Sequence, residues 1–383
     1  MALELENQER LAVRSTRHIC QLATAHDVSD ERVLHRMAET AAEFGYRSTF
    51  AVPYDGTAAH PNVALVSTGP RSHNMSGRVA AGIRLLIWAA RSDADVFQFH
   101  DPDLLPAAIL LKLMGRRVIY DVHDDYERNI LARLAHKPRL ACIASKLWWF
   151  AEKTAARAFD GVVVADRHLA AKFGERSSVI LGNYPRGNFT NRSRTEEEET
   201  FNLLYVGGVS RLRGLGVVLE ALKLIDIPEL RLHVVGSGRD HSLIEQLRAD
   251  PRVILHGQVP WRQLYRYYER AHVGLALYQP IPSFVYYPGE NAVKILEYMA
   301  AGVPIVTSDF PGLRKFVKDD GAGLVVDPHD PEAVRDAIVE LYQNEGARLA
   351  MGERGSHLFA TKYNWEMHQE KLIELYDRVT RVA

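Results

Sequence analysis

Short apolar runs alternate with longer amphipathic stretches along most of this chain. In the first half, His18–Ala23, Ser48–Val52, Asn62–Val66, Asp95–Phe99, Arg117–Val122, Gly161–Ala165 and Val179–Leu181 read as strands. The stretches between them carry helical spacing. Glu31–Phe44 would turn Val33, Met37, Ala41 and Phe44 inward and end at Gly45. Ser76–Ser92 would bury Val79, Ile83, Leu86, Ile87 and Ala90, and Ala107–Met114 would close at Gly115. Strands that are apolar nearly throughout have both faces covered, so the pattern predicts a parallel sheet of the α/β class.

Residues 186–200, RGNFTNRSRTEEEET, interrupt that pattern and read as a solvated linker. A second alternating half follows. Its strands are Phe201–Val206, Arg231–Val235, Val253–His256, Val273–Leu277, Ile305–Thr307 and Leu324–Val326. Its helices include Leu215–Leu224, His241–Leu247, Trp261–Arg270, Asn291–Ala300, Pro331–Gln343 and Gly346–Tyr363, with a terminal helix Trp365–Val379. The expected organisation is a domain over 1–185, a linker over 186–200, a domain over 201–363 and a terminal helix over 364–383.

At 383 residues, two domains are expected. The net charge of −1 gives no reason to expect nucleic acid as a partner. Two cysteines, Cys20 and Cys142, build no disulfide framework and fit a reducing, cytoplasmic setting. The 16 histidines and these cysteines show no metal-ligand spacing, so no metal is expected. Residues 1–15 form a polar lead without the apolar core of a signal peptide. No run approaches the ~20 apolar residues that span a bilayer.

In a doubly wound sheet, ligands gather beyond the carboxyl ends of the strands. The polar clusters His26 to Arg32, His100 to Asp103 and His123 to Asp125 fall there. In the second half, Gly207 and Gly208 turn the chain before Arg211 and Arg213, a place where backbone and cations can clamp a diphosphate. Gly236 and Gly238, then Gly257 and Val259, follow the next two strands. Asn291–Ala300 is apolar apart from Lys294 and Glu297, which share a face near its start, and Gly302 and Pro304 stop it. A cation and a carboxylate at that helix mouth suit a nucleotide sugar.

KILEYMAAGVPIVTSD, residues 294–309, resembles the donor-site signature of the large retaining glycosyltransferase family of GT-B fold, the group 1, family-four-like enzymes of bacterial polysaccharide assembly. That resemblance implies two Rossmann-like domains facing across a cleft, and a nucleoside diphosphate sugar as donor. The family's first glutamate would stand eight residues before Glu297, where this chain has Gly289; Glu290 is one position off. Aligned on Val206-Gly207, the family's arginine slot holds Gly208 and its lysine slot Arg213, with Arg211 as substitute cation. Gly236, Gly238, Gly257 and Val259 would lie along the nucleotide, and Glu297 would hold its ribose. His123 occupies the position the family places beside the donor sugar. His100 and Asp103 belong to a segment that either touches acceptor or holds its loop. Asp30 and Arg32 either approach the phosphate or pair with each other.

Tyr126–Arg157 holds seven basic residues and two acidic ones. Leu140, Ile143, Leu147 and Phe150 form the expected core stripe of a helix, while Trp149 shares a face with Lys146, Lys153 and Arg157. That face either meets an anionic membrane or packs on a neighbouring loop. The expected protein resembles a metal-independent retaining glycosyltransferase, using UDP in preference to GDP and a sugar or lipid-linked acceptor, either free in the cytoplasm or peripheral on the inner face of the cell membrane. A nucleotide-sugar epimerase and a non-catalytic scaffold are the alternatives.

Overall fold

The computed structural model describes residues 10–72, 74–174, 178–187, 200–260, 263–285 and 292–381. Residues 1–9, Glu290, Trp261 and most of the expected linker lie outside the described residues. The chain forms two compact units, one of Met1–Gly182 with His368–Ala383, the other of Asn183–Met367.

The first unit is built on seven parallel strands: β1 (His18–Leu22), β2 (Arg47–Val52), β3 (Ala64–Ser67), β4 (Val96–Phe99), β5 (Arg117–Val122), β6 (Gly161–Val164) and β7 (Ser178–Ile180). Their order is β3-β2-β1-β4-β5-β6-β7. β1 and β4 are buried at every position, and the polar side chains they carry, His18, Gln21 and Gln98, are hydrogen-bonded within the unit. The order reverses between β1 and β4, so the loops after those two strands open at a switch point.

The second unit has six parallel strands: β8 (Phe201–Val206), β9 (Leu230–Val235), β10 (Val253–Gly257), β11 (Val273–Ala276), β12 (Ile305–Ser308) and β13 (Gly323–Val326). They run β10-β9-β8-β11-β12-β13, with the reversal between β8 and β11. Tyr298 packs flat on Gly274 of β11, where any Cβ would come within 2.6 Å of its ring.

The terminal helix, Gln369–Arg381, belongs to the first unit. It buries Leu372, Leu375 and Tyr376. The Tyr376 hydroxyl accepts from Gln21 Nε2 at 3.0 Å and donates to Gln98 Oε1 at 2.6 Å. The helix starts later than its expected first residue, Trp365. That indole is fully buried, and its backbone N–H donates to Pro185 O at 3.0 Å, both within the second unit.

Two helices present a different face from the one their periodicity suggests. α1 (Met75–Arg91) buries Ala81, Leu85 and Ala89, while Val79, Ile83 and Ile87 face outward. After α2 (Leu105–Leu113), α3 (Pro138–Ala156) buries Ala141, Ser145, Glu152, Ala155 and Ala156. Its expected core stripe is outward instead, with Leu147 66% and Phe150 65% exposed. Small side chains let these helices lie close to the sheet, and closeness outweighs the bulk of the opposite face. Glu152 is buried because it is paired: Tyr120 donates to it at 2.7 Å and Lys172 at 2.5 Å.

Candidate active site

In the second unit, the carboxyl ends of β8, β9 and β10 are tied together through their glycines. Gly207 N donates to Val235 O at 2.8 Å, and Gly236 N donates to Gly257 O at 2.7 Å. Gly236 has φ of +141°, and a Cβ there would come within 1.9 Å of Gly207 O. Gly238 likewise lies against Val209 O, at 2.0 Å from a would-be Cβ. These two glycines therefore serve the close packing of adjacent loops. Gly257 has φ of +69° with open space around it, and Val259 packs on the hydrophobic core.

Above Gly207 two cations converge. A Cβ on Gly207 would lie 3.2 Å from Lys294 Nζ and 3.6 Å from Arg213. Lys294 opens α4 (Val293–Ala300), which packs its apolar face under β11 and β12. Its ammonium is buried, 4.1 Å from the centre of the Tyr205 ring and 5.3 Å from that of Tyr278. Among the described residues it has no hydrogen-bond partner. Burial, and then the Arg213 charge, push its pKa down to about 7, with Glu297 pulling the other way. One turn on, Glu297 is buried and accepts from the Tyr268 hydroxyl at 2.6 Å. The site thus brings together two cationic heads, one of them without a hydrogen-bond partner among the described residues, over a backbone turn that lacks side chains.

Arg211 does not join this group. Its guanidinium donates to Gln246 at 2.9 Å and lies 3.5 Å from Asp240, half exposed. The Gly214 cap explains the divergence. It takes φ of +90° with no room for a Cβ against Leu277 O, which fixes the turn Arg211–Arg213 so that its ends point apart. Gly208 sits beside the Arg213 side chain, 3.6 Å from its Nε if given a Cβ. Glu290 lies outside the described residues.

In the first unit, a buried carboxylate organises the switch point. Asp121 accepts both arms of the Arg32 fork, at 2.8 and 2.7 Å, and pairs with His100 Nδ1 at 2.8 Å. Its burial would raise its pKa, but Arg32 and then the histidines hold it well below the usual carboxylate range. Arg32 is thus buried and committed to Asp121. It does not pair with Asp30 through their side chains, and it does not reach outward for phosphate. Asp30 instead caps the helix it begins, accepting from Arg32 N and Val33 N, and pairs with His26 Nδ1 at 2.9 Å.

Burial opposes a charge on His26, yet Asp30, Asp101 and Asp121 raise its pKa to about 9. His123 stands edge-on to His26 with ring centroids 5.1 Å apart, and its Nδ1 lies 3.6 Å from Asp121. Asp103 accepts from Thr24 Oγ1 at 2.9 Å and from the Arg78 fork at 2.9 and 3.0 Å. Together with Asp101, which accepts from the Thr24 and Ala25 amides, it holds the loop after β1. These contacts give the segment a part in holding that loop. Sequence reading undervalued Asp121 and His26. Asp121 looks like an ordinary strand residue until the sheet brings Arg32 and His100 to it.

A family profile described as "Glycosyl transferases group 1" matches residues 188–358, and one described as "Glycosyltransferase Family 4" matches residues 31–179. D-inositol 3-phosphate glycosyltransferase of Xylanimonas cellulosilytica is 31% identical over 192 residues, covering 47% of this chain and 42% of that protein. The match therefore spans less than half the length of that relative. Phosphatidyl-myo-inositol mannosyltransferase of Mycolicibacterium smegmatis is 24% identical over 86% of this chain and 79% of its own. Sucrose-phosphate synthase from Thermosynechococcus elongatus has the same fold, with a TM-score of 0.76 at 17% identity, over 96% of this chain and 100% of that one. HepE of Anabaena, solved in complex with UDP, superposes with a TM-score of 0.70 at 15% identity, over 94% and 99%.

Proposed function

The chain belongs to the group 1 glycosyltransferases of GT-B fold, and from that premise we propose that it transfers a sugar from a nucleoside diphosphate sugar to an acceptor hydroxyl, with retention. The observation that carries this reading is the pair Arg213 and Lys294 above the bare turn at Gly207. Two cations over a turn that carries no side chain are preorganised for a departing diphosphate, where negative charge grows as the glycosidic bond breaks. Glu297, fixed by Tyr268, takes the ribose hydroxyls. In the first unit His123, 3.6 Å from Asp121, holds the position that the family resemblance gives to a donor-sugar contact. In this reading the phosphate charge is met by side chains and backbone, and no divalent metal is required for turnover.

A nucleotide panel tests it. UDP is expected to raise the melting temperature more than GDP or ADP does, in the presence of chelator as in its absence. Equal indifference to all three overturns the reading. Binding also carries a pH signature. The empty site holds Lys294 near pKa 7, and a bound diphosphate draws its proton back. Above pH 7 each binding event therefore takes up a proton, and UDP affinity falls by up to about tenfold per pH unit. Calorimetry in buffers of different ionisation enthalpy reads that uptake directly.

We further propose that the acceptor is lipid-linked and that the first unit docks on an anionic membrane. α1 packs on α2, and α2 on α3. Ile83, Leu113, Leu147 and Phe150 stand outward from these three helices, with Leu113 78% exposed. Exposed large apolar side chains on three successively packed helices suit an interaction surface. The charge favours lipid: of the two acidic residues in 126–157, Glu152 is buried against Lys172, which leaves the outer face almost wholly basic. Among the described residues no helix is long and apolar enough to cross a membrane. Leu147→Asp with Phe150→Asp is expected to lower binding to vesicles rich in phosphatidylglycerol at least ~10-fold, given the area such side chains bury. UDP binding should persist in that variant; unchanged sedimentation with vesicles would remove the membrane from the proposal.

A further inference from the structure

A second group of ligand-type side chains lies in the first unit, apart from the chemistry above. His35 and Glu39 stand one turn apart where the helical segment Glu31–Ala38 runs into Glu39–Glu43. His60 reaches them from the connection between β2 and β3. Glu39 Oε1 lies 2.9 Å from His35 Nδ1 and 2.7 Å from His60 Nε2. All three ligand atoms lie within 4.8 Å of one another. The imidazole rings are 6.3 Å apart at 62°, so both aim at the same carboxylate oxygen without stacking. The side chains are 11 to 18% exposed, sheltered yet within reach of an ion from solvent.

We infer that His35, Glu39 and His60 form a site for a divalent transition metal of the zinc class, with water completing a tetrahedron. Two imidazoles and one carboxylate are borderline ligands that suit zinc or cobalt, whereas calcium and magnesium demand a shell of oxygens. At zinc-to-ligand distances of ~2.0–2.2 Å, tetrahedral ligand atoms stand roughly 3.3 Å apart. The two contacts to Glu39, at 2.9 and 2.7 Å, would open by about half an ångström, and the two imidazole nitrogens, within 4.8 Å of each other, would settle at a similar spacing through small rotations of the side chains. In the metal-free state the Asn62 N–H points at His60 Nδ1, 3.3 Å away, so Nε2 carries the proton that faces Glu39. Coordination through Nε2 transfers that proton to Nδ1 and breaks the Asn62 contact. The ion would staple the β2–β3 connection to the helix that carries Arg32. Its role is structural.

The metal-stripped full chain, titrated with cobalt(II), tests this. The expected result is a visible absorption band of tetrahedral cobalt that saturates at one ion per chain and is displaced by zinc. Saturating zinc should raise the melting temperature by about 5 °C or more. The Asn62 amide resonance should shift on loading. His60→Ala should lose the band and the zinc shift while melting cooperatively and binding UDP. Glu39→Gln, which keeps the side-chain volume, repeats the test if His60→Ala folds poorly. A missing one-to-one band, or a band that survives in these variants, overturns the site.

Discussion

Replacing Lys294 by Met will raise the melting temperature of the second unit and, in the same protein, reduce donor use by at least ~10²–10³-fold in kcat/KM. The two signs come from one cause. Lys294 is buried between Tyr205 and Tyr278 with its ammonium facing Arg213, a like charge. Its folded pKa of about 7 lies below its unfolded value, so the unfolded chain binds the extra proton between those two values. Stability therefore increases as pH rises from 7 towards 10.5, and below 7 the full cost is in place. Methionine fills a similar volume without a charge, and removing a buried cation that has no hydrogen-bond partner among the described residues is expected to return about 1–3 kcal/mol. The diphosphate loses its nearest ammonium, and with it a charge-assisted contact that strengthens as the bond to the sugar breaks. Differential scanning calorimetry with a coupled UDP-release assay reads both effects. A melting temperature that falls, with turnover intact, would mean that Lys294 is only a core residue.

Asp121→Asn will be the most damaging single change in the first unit. It removes one charge and no volume. Arg32 then stays buried with a neutral partner, and His100 loses the carboxylate that fixes its tautomer. Breaking a buried pair from one side costs about 3–5 kcal/mol. For a unit of this size that lowers the melting temperature by about 10 °C or more. Asp121→Asn combined with Arg32→Met should recover part of the loss, because the uncompensated charge goes too. Asp121 titrates well below its ordinary value, so its stabilisation is fully present above the unfolded carboxylate pKa, about 3.9, and is lost as pH falls further. Wild-type stability should therefore drop in acid below about pH 4 more steeply than that of the double variant. Parallel acid profiles would sink the idea that this pair dominates.

The strands were legible because most are short runs rich in β-branched and apolar residues set between helical stretches, and a parallel sheet leaves few other readings for such alternation. Lys294 and Glu297 stood out for the matching reason: they are the charges on a helix otherwise buried. Helix orientation was not legible. Val79, Ile83 and Ile87 repeat as faithfully as Ala81, Leu85 and Ala89, and periodicity does not say which stripe meets the sheet. Arg211 was misread because only Gly214, by fixing the turn, decides which of two arginines faces Gly207. Asp121 and the His35–Glu39–His60 group depend on residues far apart in sequence. Only the nearness of Asp121 to His123, two residues on, and the His-x-x-x-Glu step on one helix face can be noticed beforehand.

The terminal helix has a consequence for the order in which this protein matures on the ribosome. The second unit is one continuous stretch, Asn183–Met367, and can fold as soon as it emerges. The first unit is nearly all synthesised earlier, yet Gln21 and Gln98 receive the Tyr376 hydroxyl only when residues near the end of the sequence arrive. Its central strands must wait, half-finished, while a later-made neighbour is already complete. That interval, with the outward Leu113, Leu147 and Phe150 beside an unclosed sheet, is when a nascent-chain chaperone would have most to hold.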